Sequence, residues 1–213
     1  MPTVESIEAI QRLSPQTLID VGANKGQFSL MTRYLFPQID IHAFEPLERE
    51  RQTYATVVRP PVRLYPTALG RAPGQATFFV TSRADSSSLL QPGTTQQAEY
   101  GMVTNRRITV PVARLPDVVD VASLRRPIIL KLDVQGAELD VLTGAESVLF
   151  AVDMIYCEIS YVELYEGQPL VGEIAAYLQV HGFNLRGVYN QTVSKEFGPL
   201  QADFLFMLNR VTP

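Results

Sequence analysis

Short runs of apolar residues alternate with amphipathic segments along the first 70 residues of the chain. An apolar run ends at Val21, and after a glycine turn Phe28, Met31 and Leu35 recur at helical spacing. A second apolar run covers residues 39–44 and has the length of a buried strand. The alternation of strand and helix predicts βαβ units, in which neighbouring strands run parallel.

The rest of the hydrophobic pattern continues this alternation but ends without a helix. Further strands are predicted at 62–65, 75–82, 108–112, 127–132, 154–158, 183–189 and 202–208, and further helices at 47–58, 137–150 and 170–181. The run at 127–132 is almost entirely apolar, as in a strand buried on both faces of a parallel sheet. Because no helix separates the last two strands, they are predicted to form a hairpin. The predicted fold class is α/β, with a mostly parallel seven-stranded sheet that carries one antiparallel strand.

Residues 83–107 interrupt the alternation. They are polar, rich in Ser, Thr, Gln and Gly, and too numerous for an ordinary connection between two strands. We interpret them as a lid-like insertion in a single domain that covers residues 1–213. The run Ser86–Ser88 within the insertion is interpreted as solvated loop.

The turn after the first strand spans Asp20–Phe28 and reads DVGANKGQF. Its glycines, Gly22 and Gly26, allow a sharp turn and a close approach to a ligand, and the following helix offers free N–H groups. Glu45 lies 23 residues after Gly22, near the spacing of roughly 20 at which βαβ nucleotide sites place an acid for the ribose. Asn24 could contact a ligand or cap the helix. The plain alternative is an ordinary βαβ turn with a solvent-facing glutamate.

Three acidic residues follow the central strand and its neighbour. Asp133 and Glu138 lie at the carboxyl end of the central strand and in the first turn of the next helix, and Glu158 ends the next strand. Glu138 falls one turn before Leu142 on the apolar stripe, where a carboxylate is costly unless it is paired or used. We therefore expect the three acids to converge on the crevice. The alternatives are that Glu138 stabilises the helix dipole and that Asp133 caps the helix.

Composition narrows the choice of partners and compartment. The formal net charge is −4 and the 18 Lys and Arg residues are scattered, which disfavours a nucleic-acid partner. The single cysteine, Cys157, cannot form an internal disulfide and is typical of a reducing compartment. His42 and His181 are interpreted as structural. Because the first 16 residues are polar and no apolar stretch of about 18 residues occurs, we expect a soluble cytoplasmic protein without a membrane partner.

Five segments together carry a resemblance to a known family. Residues 20–28 (DVGANKGQF), 44–46, 68–70, 86–89 and 131–144 (KLDVQGAELDVLTG) resemble the FkbM family of S-adenosylmethionine-dependent methyltransferases, over about residues 17–208. The resemblance implies a class I Rossmann-like methyltransferase fold. It implies that S-adenosyl-L-methionine contacts Asp20, Gly22, Asn24 and Gly26 with its methionine side, Glu45 with its ribose, and Ala68 and Leu69 with its adenine. It also implies O-methylation of a hydroxyl on a sugar or polyketide-type small molecule.

Methyl transfer to an alcohol requires in-line positioning and removal of the hydroxyl proton. Since neither histidine is well placed, Asp133, Glu138 and Glu158 are the candidates for the base. The same acids could instead hold a divalent cation such as Mg²⁺.

Two rival functions follow from the same pattern. An NAD(P)-dependent oxidoreductase is disfavoured because the turn lacks the Gly-x-Gly-x-x-Gly spacing. A cofactor-binding module without turnover is the non-enzymatic alternative. The sequence leaves the oligomeric state open.

Overall fold

The computed structural model describes residues 4–209. Its strands are β1 (Thr17–Val21), β2 (Asp40–Phe44), β3 (Val62–Tyr65), β4 (Ala68–Leu69), β5 (Gly74–Thr81), β6 (Thr104–Ala113), β7 (Ile128–Leu132), β8 (Met154–Ser160), β9 (Phe183–Ser194) and β10 (Gly198–Leu208). Its α-helices are α1 (Val4–Leu13), α2 (Gln27–Leu35), α3 (Glu48–Val57), α4 (Thr94–Tyr100), α5 (Leu115–Val118), α6 (Glu138–Gly144) and α7 (Val171–Val180). Short 3₁₀ segments cover Ala84–Ser86, Val121–Ser123 and Glu146–Ala151.

The main sheet has seven strands in the order β3-β2-β1-β7-β8-β10-β9. The pairs from β3 to β8 are parallel, while β10 runs antiparallel to both β8 and β9. The predicted fold class, including the antiparallel strand from the terminal hairpin, is confirmed. In this order the carboxyl ends of β1, β2, β7 and β8 meet at one edge of the sheet, where α/β proteins bind ligands.

The central strands of the sheet are buried on both faces. Every residue of β1 and β7 is buried, and their side chains divide between two apolar clusters. Ile19 and Leu130 belong to the cluster on one face, while Leu18 and Ile129 belong to the cluster on the other. This arrangement explains the continuous apolar runs in the sequence, because a strand covered by helices on both faces needs no polar side.

A second sheet, of three strands in the order β4-β6-β5, was not anticipated. It takes up part of the segment interpreted as loop: β6 begins at Thr104, and α4 lies within the segment as well. Residues 83–107 therefore contain regular structure that the sequence did not predict, and the strand predicted at 108–112 begins at Thr104. Residues 104–107 at the start of β6 are exposed, so their side chains give no apolar pattern in the sequence. These four residues belong to the strand because their backbone pairs with β5.

One helix was not predicted, and another is shorter than predicted. The polar first 16 residues contain α1, whose Ile10 is buried in the core with Ala9 and Leu13 packed beside it. The helix predicted at 137–150 stops at Gly144 and continues as a 3₁₀ segment. No helix within residues 4–209 has both the length and the apolar character needed to cross a membrane.

Candidate active site

A cavity of about 500 Å³ lies at the carboxyl ends of β1, β2, β7 and β8. Its volume is in the range of small-molecule sites. Its turn side, contributed by β1, β2 and β4 and the loops after them, is lined by Gly22, Ala23, Asn24, Phe44, Glu45, Leu47, Ala68 and Leu69. Its acid side, contributed by β8, β9, β10 and the loop after β7, is lined by Asp133, Gln135, Tyr156, Glu158, Asn190, Thr192, Gln201 and Asp203. Residues of the segment 83–102 also border the cavity.

The glycine turn lies in direct contact with the loop after β7. Gly22 has a φ of +73°, and a Cβ at this position would lie 1.9 Å from the carbonyl oxygen of Asp133. The amides of Gly22 and Ala23 both donate to the carbonyl oxygen of Phe44, at 3.1 and 3.0 Å. Only glycine fits here, because any side chain would meet backbone atoms in a conformation that L-residues rarely adopt.

A buried ion pair supports this turn from below. Lys131 and Asp20 are neighbours in the β1–β7 register, and the Lys131 Nζ lies 3.1 Å from Asp20 Oδ1. Nζ also donates to the carbonyl oxygen of Gly22 at 2.8 Å, and Ser29 Oγ donates to Asp20 Oδ2 at 2.6 Å. Burial lowers the pKa of Lys131, but the carboxylates of Asp20 and Asp133 outweigh it and hold this pKa above its ordinary value. The lysine therefore stays charged and fixes the turn.

Two of the predicted cofactor residues, Asp20 and Gly26, do not line the cavity. Asp20 is completely buried under the turn. Gly26 has a φ of +89°, and a Cβ there would lie 2.6 Å from Val58 Cγ2 and 2.9 Å from Tyr54 Cδ2. Both residues support the conformation of the turn, and residues 21–24 between them line the cavity.

Glu45 lies where it was expected, at the end of β2 on the turn side of the cavity. Its Oε2 accepts the backbone N–H of Asn24 at 2.9 Å, and its Oε1 accepts that of Leu47 at 2.8 Å. Burial raises the pKa of Glu45 to about 7, although these two hydrogen bonds oppose the shift. Asn24 does not cap α2, whose N-cap is Gly26, and its Oδ1 accepts the N–H of Lys25 instead. The glutamate is therefore buried rather than solvent-facing.

The acid side of the cavity brings Asp133 and Glu158 together, as predicted, and adds Asp203. The Gln135 amide nitrogen donates to Asp133 Oδ1 and to Glu158 Oε2, both at 2.7 Å. Asp203 lies opposite Glu158 in the β8–β10 register, and its Oδ2 accepts the hydroxyl of Tyr156 at 2.8 Å. Burial, and after it the carboxylates of Asp133 and Asp203, raise the pKa of Glu158 well above its ordinary value. Such a group is a strong base once it is ionised.

Glu138 does not face the crevice, contrary to expectation. It is buried beneath the loop after β7, where its Oε1 accepts the N–H groups of Val134 at 3.0 Å and Gly136 at 3.2 Å. Burial raises its pKa to about 7. The side chain accepts the free amides just before α6, which is close to the alternative in which Glu138 stabilises the start of the helix. Its role is to brace the loop that carries Asp133.

The serine run at 86–88 is buried, so its interpretation as solvated loop was wrong. Ser88 Oγ lies 2.7 Å from the carbonyl oxygen of Gln135 and 3.2 Å from that of Val134, and it donates to these acceptors. The serines therefore attach the segment 83–102 to the loop that carries the acids.

A family model for the methyltransferase FkbM domain matches residues 20–185. The chain belongs to the FkbM methyltransferase family. The resemblance that the motifs carried is thereby confirmed.

Named relatives of this FkbM-family chain cover most of its length. It is 32% identical over 164 residues to 2-O-methyltransferase NoeI of Sinorhizobium fredii (strain NBRC 101917 / NGR234), a match that covers 71% of this chain and 66% of NoeI. It is 28% identical over 192 residues to 31-O-demethyl-FK506 methyltransferase FkbM of Streptomyces tacrolimicus, with 79% of this chain and 72% of that protein covered. The chain thus spans about two thirds to three quarters of the length of these curated relatives.

Solved structures share the fold. The crystal structure of methyltransferase FkbM from Methylobacillus flagellatus KT superposes with a TM-score of 0.56 at 14% identity, covering 90% of this chain and 44% of that one. At this identity the likeness concerns the fold alone, and the topology of the FkbM-family chain agrees with it.

The divalent cation that the three acids were predicted to bind as an alternative has no support within the described residues. Within residues 4–209 no group of three or more His, Cys, Asp or Glu side chains is placed to hold a metal ion. Asp133 and Glu158 are bridged by an amide, and Glu138 points into backbone N–H groups. The alternative role of the three acids as Mg²⁺ ligands therefore gains nothing from their geometry.

Several polar residues at or beside the site were not predicted from the sequence, among them Asp203, Tyr165 and Gln135. Asp203 joins through an antiparallel register that no local pattern reveals. Tyr165 is buried and contacts Gln135. Gln135 lies between Asp133 and Glu138 in the motif at 131–144, and this position could have indicated that it belongs to the site.

Proposed function

We propose that this protein is an S-adenosyl-L-methionine-dependent methyltransferase that transfers the methyl group to a hydroxyl of a small molecule. The observation that carries the proposal is a single cavity with a glycine turn and a buried glutamate on one side and a carboxylate cluster on the other. Membership of the FkbM family supports it, as do the relatives named 2-O-methyltransferase NoeI and 31-O-demethyl-FK506 methyltransferase FkbM.

The turn side of the cavity fits the cofactor. Each Glu45 oxygen accepts one backbone N–H and has a second lone pair that can accept a ribose hydroxyl. Ala68 and Leu69 offer apolar surface to the adenine, and Gly22 and Asn24 border the methionine part. When bound, the cofactor supplies an electrophilic methyl group on a positively charged sulfur.

The acid side would bind the acceptor and take its proton. We propose Glu158 as the base and Asp133 as the second candidate, because both line the cavity. The carboxylate would accept the proton of the acceptor hydroxyl, and the hydroxyl oxygen could then take the methyl group that the cofactor would supply, with S-adenosylhomocysteine as the leaving group. Glu138 is not proposed as the base, since its oxygen is engaged with the loop amides.

The lining of the acid side favours a hydroxyl-rich acceptor such as a sugar over an apolar polyketide. Asn190, Thr192 and Gln201 add amide and hydroxyl groups to the carboxylates. Such groups pair with several hydroxyls at once, whereas an apolar acceptor would leave them unpaired at a cost in affinity.

The oxidoreductase alternative is not favoured, since the family match and the glycine spacing both point away from it. A cofactor-binding module without turnover has the same turn side as the enzyme. Transfer of methyl label to an acceptor therefore separates these two functions.

Calorimetric titration with S-adenosylhomocysteine, and separately with NADH, tests the cofactor. We expect binding of S-adenosylhomocysteine only, weakened roughly 10- to 100-fold by Glu45→Ala through the loss of charge-assisted hydrogen bonds. Glu48→Ala, at an exposed position three residues along, is the matched control and should bind normally. Binding of NADH, or of neither ligand, would overturn the proposal.

A screen for transfer of radiolabelled methyl groups to sugars and polyketide fragments follows. Labelling of a sugar hydroxyl would support the acceptor class. Labelling only of polyketides would overturn the preference for sugars, and labelling of nothing would favour the binding module.

A further inference from the structure

The side chain of Gln135 links the two carboxylates of the acid side. Its two amide hydrogens serve Asp133 Oδ1 and Glu158 Oε2 at the same distance, 2.7 Å. An amide nitrogen has two donors and no acceptor, so both carboxylates are satisfied only when the nitrogen faces them. The orientation of this amide therefore determines how the two acids are held.

A buried tyrosine supports that orientation. The Tyr165 hydroxyl lies 2.8 Å from Gln135 Oε1 and 2.9 Å from the carbonyl oxygen of Ser86, both of which can accept its proton. The hydroxyl in turn accepts an N–H of Gln96 at 3.2 Å. A reversed amide would leave the two carboxylates opposite an oxygen, so the carboxylates exclude that orientation. The Tyr165 hydroxyl stabilises the observed orientation by donating to Oε1.

The backbone of Gln135 is constrained as well. Its φ is +58°, a left-handed conformation that is uncommon for residues other than glycine. Ser88 holds this conformation by donating to the carbonyl oxygen of Gln135. A non-glycine residue in such a conformation marks a position that its surroundings determine.

We propose that Gln135 is a positioning residue which, anchored by Tyr165, holds Asp133 and Glu158 in place as proton acceptors and couples them to the segment 83–102. The inference rests on the proposed function, in which one of these carboxylates is the base. Ser86 and Gln96 connect the tyrosine to that segment, which borders the cavity. An acceptor that moves the segment would therefore act on the base through this chain of hydrogen bonds.

The charge on Glu158 responds to groups from every element around it. These are Lys131 and Asp133 from β7 and its loop, Glu138 from α6, Asp203 from β10, Tyr100 from α4, Tyr165 from the segment after β8, and Cys157 on its own strand. The carboxylates of Asp133, Asp203 and Glu138 oppose ionisation of Glu158, whereas Tyr100, Tyr165 and Cys157 are neutral while it titrates because their own pKa values are raised. The hydrogen bond from Gln135 acts the other way and lowers the pKa of Glu158.

The test is an NMR titration that requires no methyl acceptor. Protein labelled with ¹³C at the glutamate carboxyl is titrated with acid, and the Glu158 resonance is assigned through Glu158→Gln. Gln135→Met removes the amide but keeps the length of the side chain, and we expect the Glu158 midpoint to rise by about 1 pH unit. Tyr165→Phe leaves the ring in place and should raise the midpoint by a smaller amount.

Tyr161→Phe is the matched control, since no hydrogen bond joins its hydroxyl to the chain of contacts that leads to Gln135. It should leave the midpoint unchanged, and thermal unfolding verifies that each variant is folded. An unchanged midpoint in Gln135→Met would overturn the proposal. A shift in that variant without one in Tyr165→Phe would overturn the role of the tyrosine.

Binding of S-adenosylhomocysteine to the same samples separates this inference from the proposed function. Normal binding is expected in all variants, because Gln135 lies on the acid side of the cavity. If the unaltered protein fails to bind it while the midpoint shifts as expected, the function is wrong and the positioning role of Gln135 stands. A uniform loss of binding and stability without a shifted midpoint would show a merely structural residue.

Discussion

The turn side and the acid side of the cavity are built in different ways. The turn side comes mainly from one short stretch of sequence, residues 22–47, with Ala68 and Leu69 added. The acid side consists of side chains between Asp133 and Asp203, delivered by four separate strands or loops. A cofactor is the same in every turnover, so a site built from one short stretch of chain is sufficient to bind it. Recognition of a particular acceptor depends on side chains that can be exchanged one at a time.

Gly22→Ala should have the largest effect and should break the turn side. The new Cβ would collide with the Asp133 carbonyl oxygen in a left-handed conformation, so we expect no measurable binding of S-adenosylhomocysteine and a stability loss of more than about 3 kcal/mol. Gly167→Ala is the control, because its φ is +70° but no atom lies within 4 Å of its Cβ. It should cost about 1–2 kcal/mol in urea unfolding and leave binding intact. Equal behaviour of the two variants would contradict the close contact.

Glu158→Gln should act on the acid side alone. With an acceptor found by the methyl-transfer screen, we expect turnover to fall roughly 10²- to 10⁴-fold, as for the loss of a general base. The affinity for S-adenosylhomocysteine should change less than about threefold, since the turn side is untouched. Glu5→Gln, at an exposed position of α1, is the control. Full turnover in Glu158→Gln, with loss of turnover in Asp133→Asn, would transfer the role of base to Asp133.

Glu138, which supports the loop after β7, should make the free energy of unfolding depend on pH. Its folded pKa, about 7, exceeds the ordinary value of 4.5, so between these values the folded state binds more protons than the unfolded state. Stability therefore falls as the pH rises from about 4.5 to about 7, and Glu138 accounts for about 3 kcal/mol of this fall. Urea unfolding of Glu138→Gln should show a shallower decline than the unaltered protein. Identical pH profiles would mean that Glu138 is not buried as the structure has it.

Thr192→Val should have the smallest effect and should sharpen the contrast between the two sides. Thr192 lines the acid side, so loss of its hydroxyl should raise the acceptor KM about 3- to 10-fold without changing S-adenosylhomocysteine affinity. Thr109→Val, at an exposed position of β6, should change neither quantity. A change in cofactor affinity alone would place Thr192 on the turn side instead.

Much of the turn side could be predicted from the sequence, because its signals are local. The glycines and Glu45 lie within one βαβ unit, so their spacing reports their geometry. The exceptions were Asp20 and Gly26, which have the expected residue types but lie behind the surface of the cavity. Residue type and spacing do not distinguish a side chain that lines a cavity from one that supports the wall.

The acid side was predictable only in part. Asp133 and Glu158 end adjacent parallel strands, which places them together by topology. Asp203 comes beside Glu158 through the antiparallel register of β10, 45 residues further along the chain, and Tyr165 reaches Gln135 from a loop. Glu138 shows the opposite failure, since its apolar surroundings were foreseen but its partners were backbone amides.

By itself the sequence determined the α/β class, the strand that carries the glycine turn, and the family, because hydrophobic period and motif spacing are properties of consecutive residues. Tertiary structure alone decided the second sheet, the burial of the serine run and the network of Gln135, Tyr165 and Ser88. Those features depend on strand register and on contacts between distant segments. Their free energy comes from burial and from polar groups that find partners only after the chain has folded.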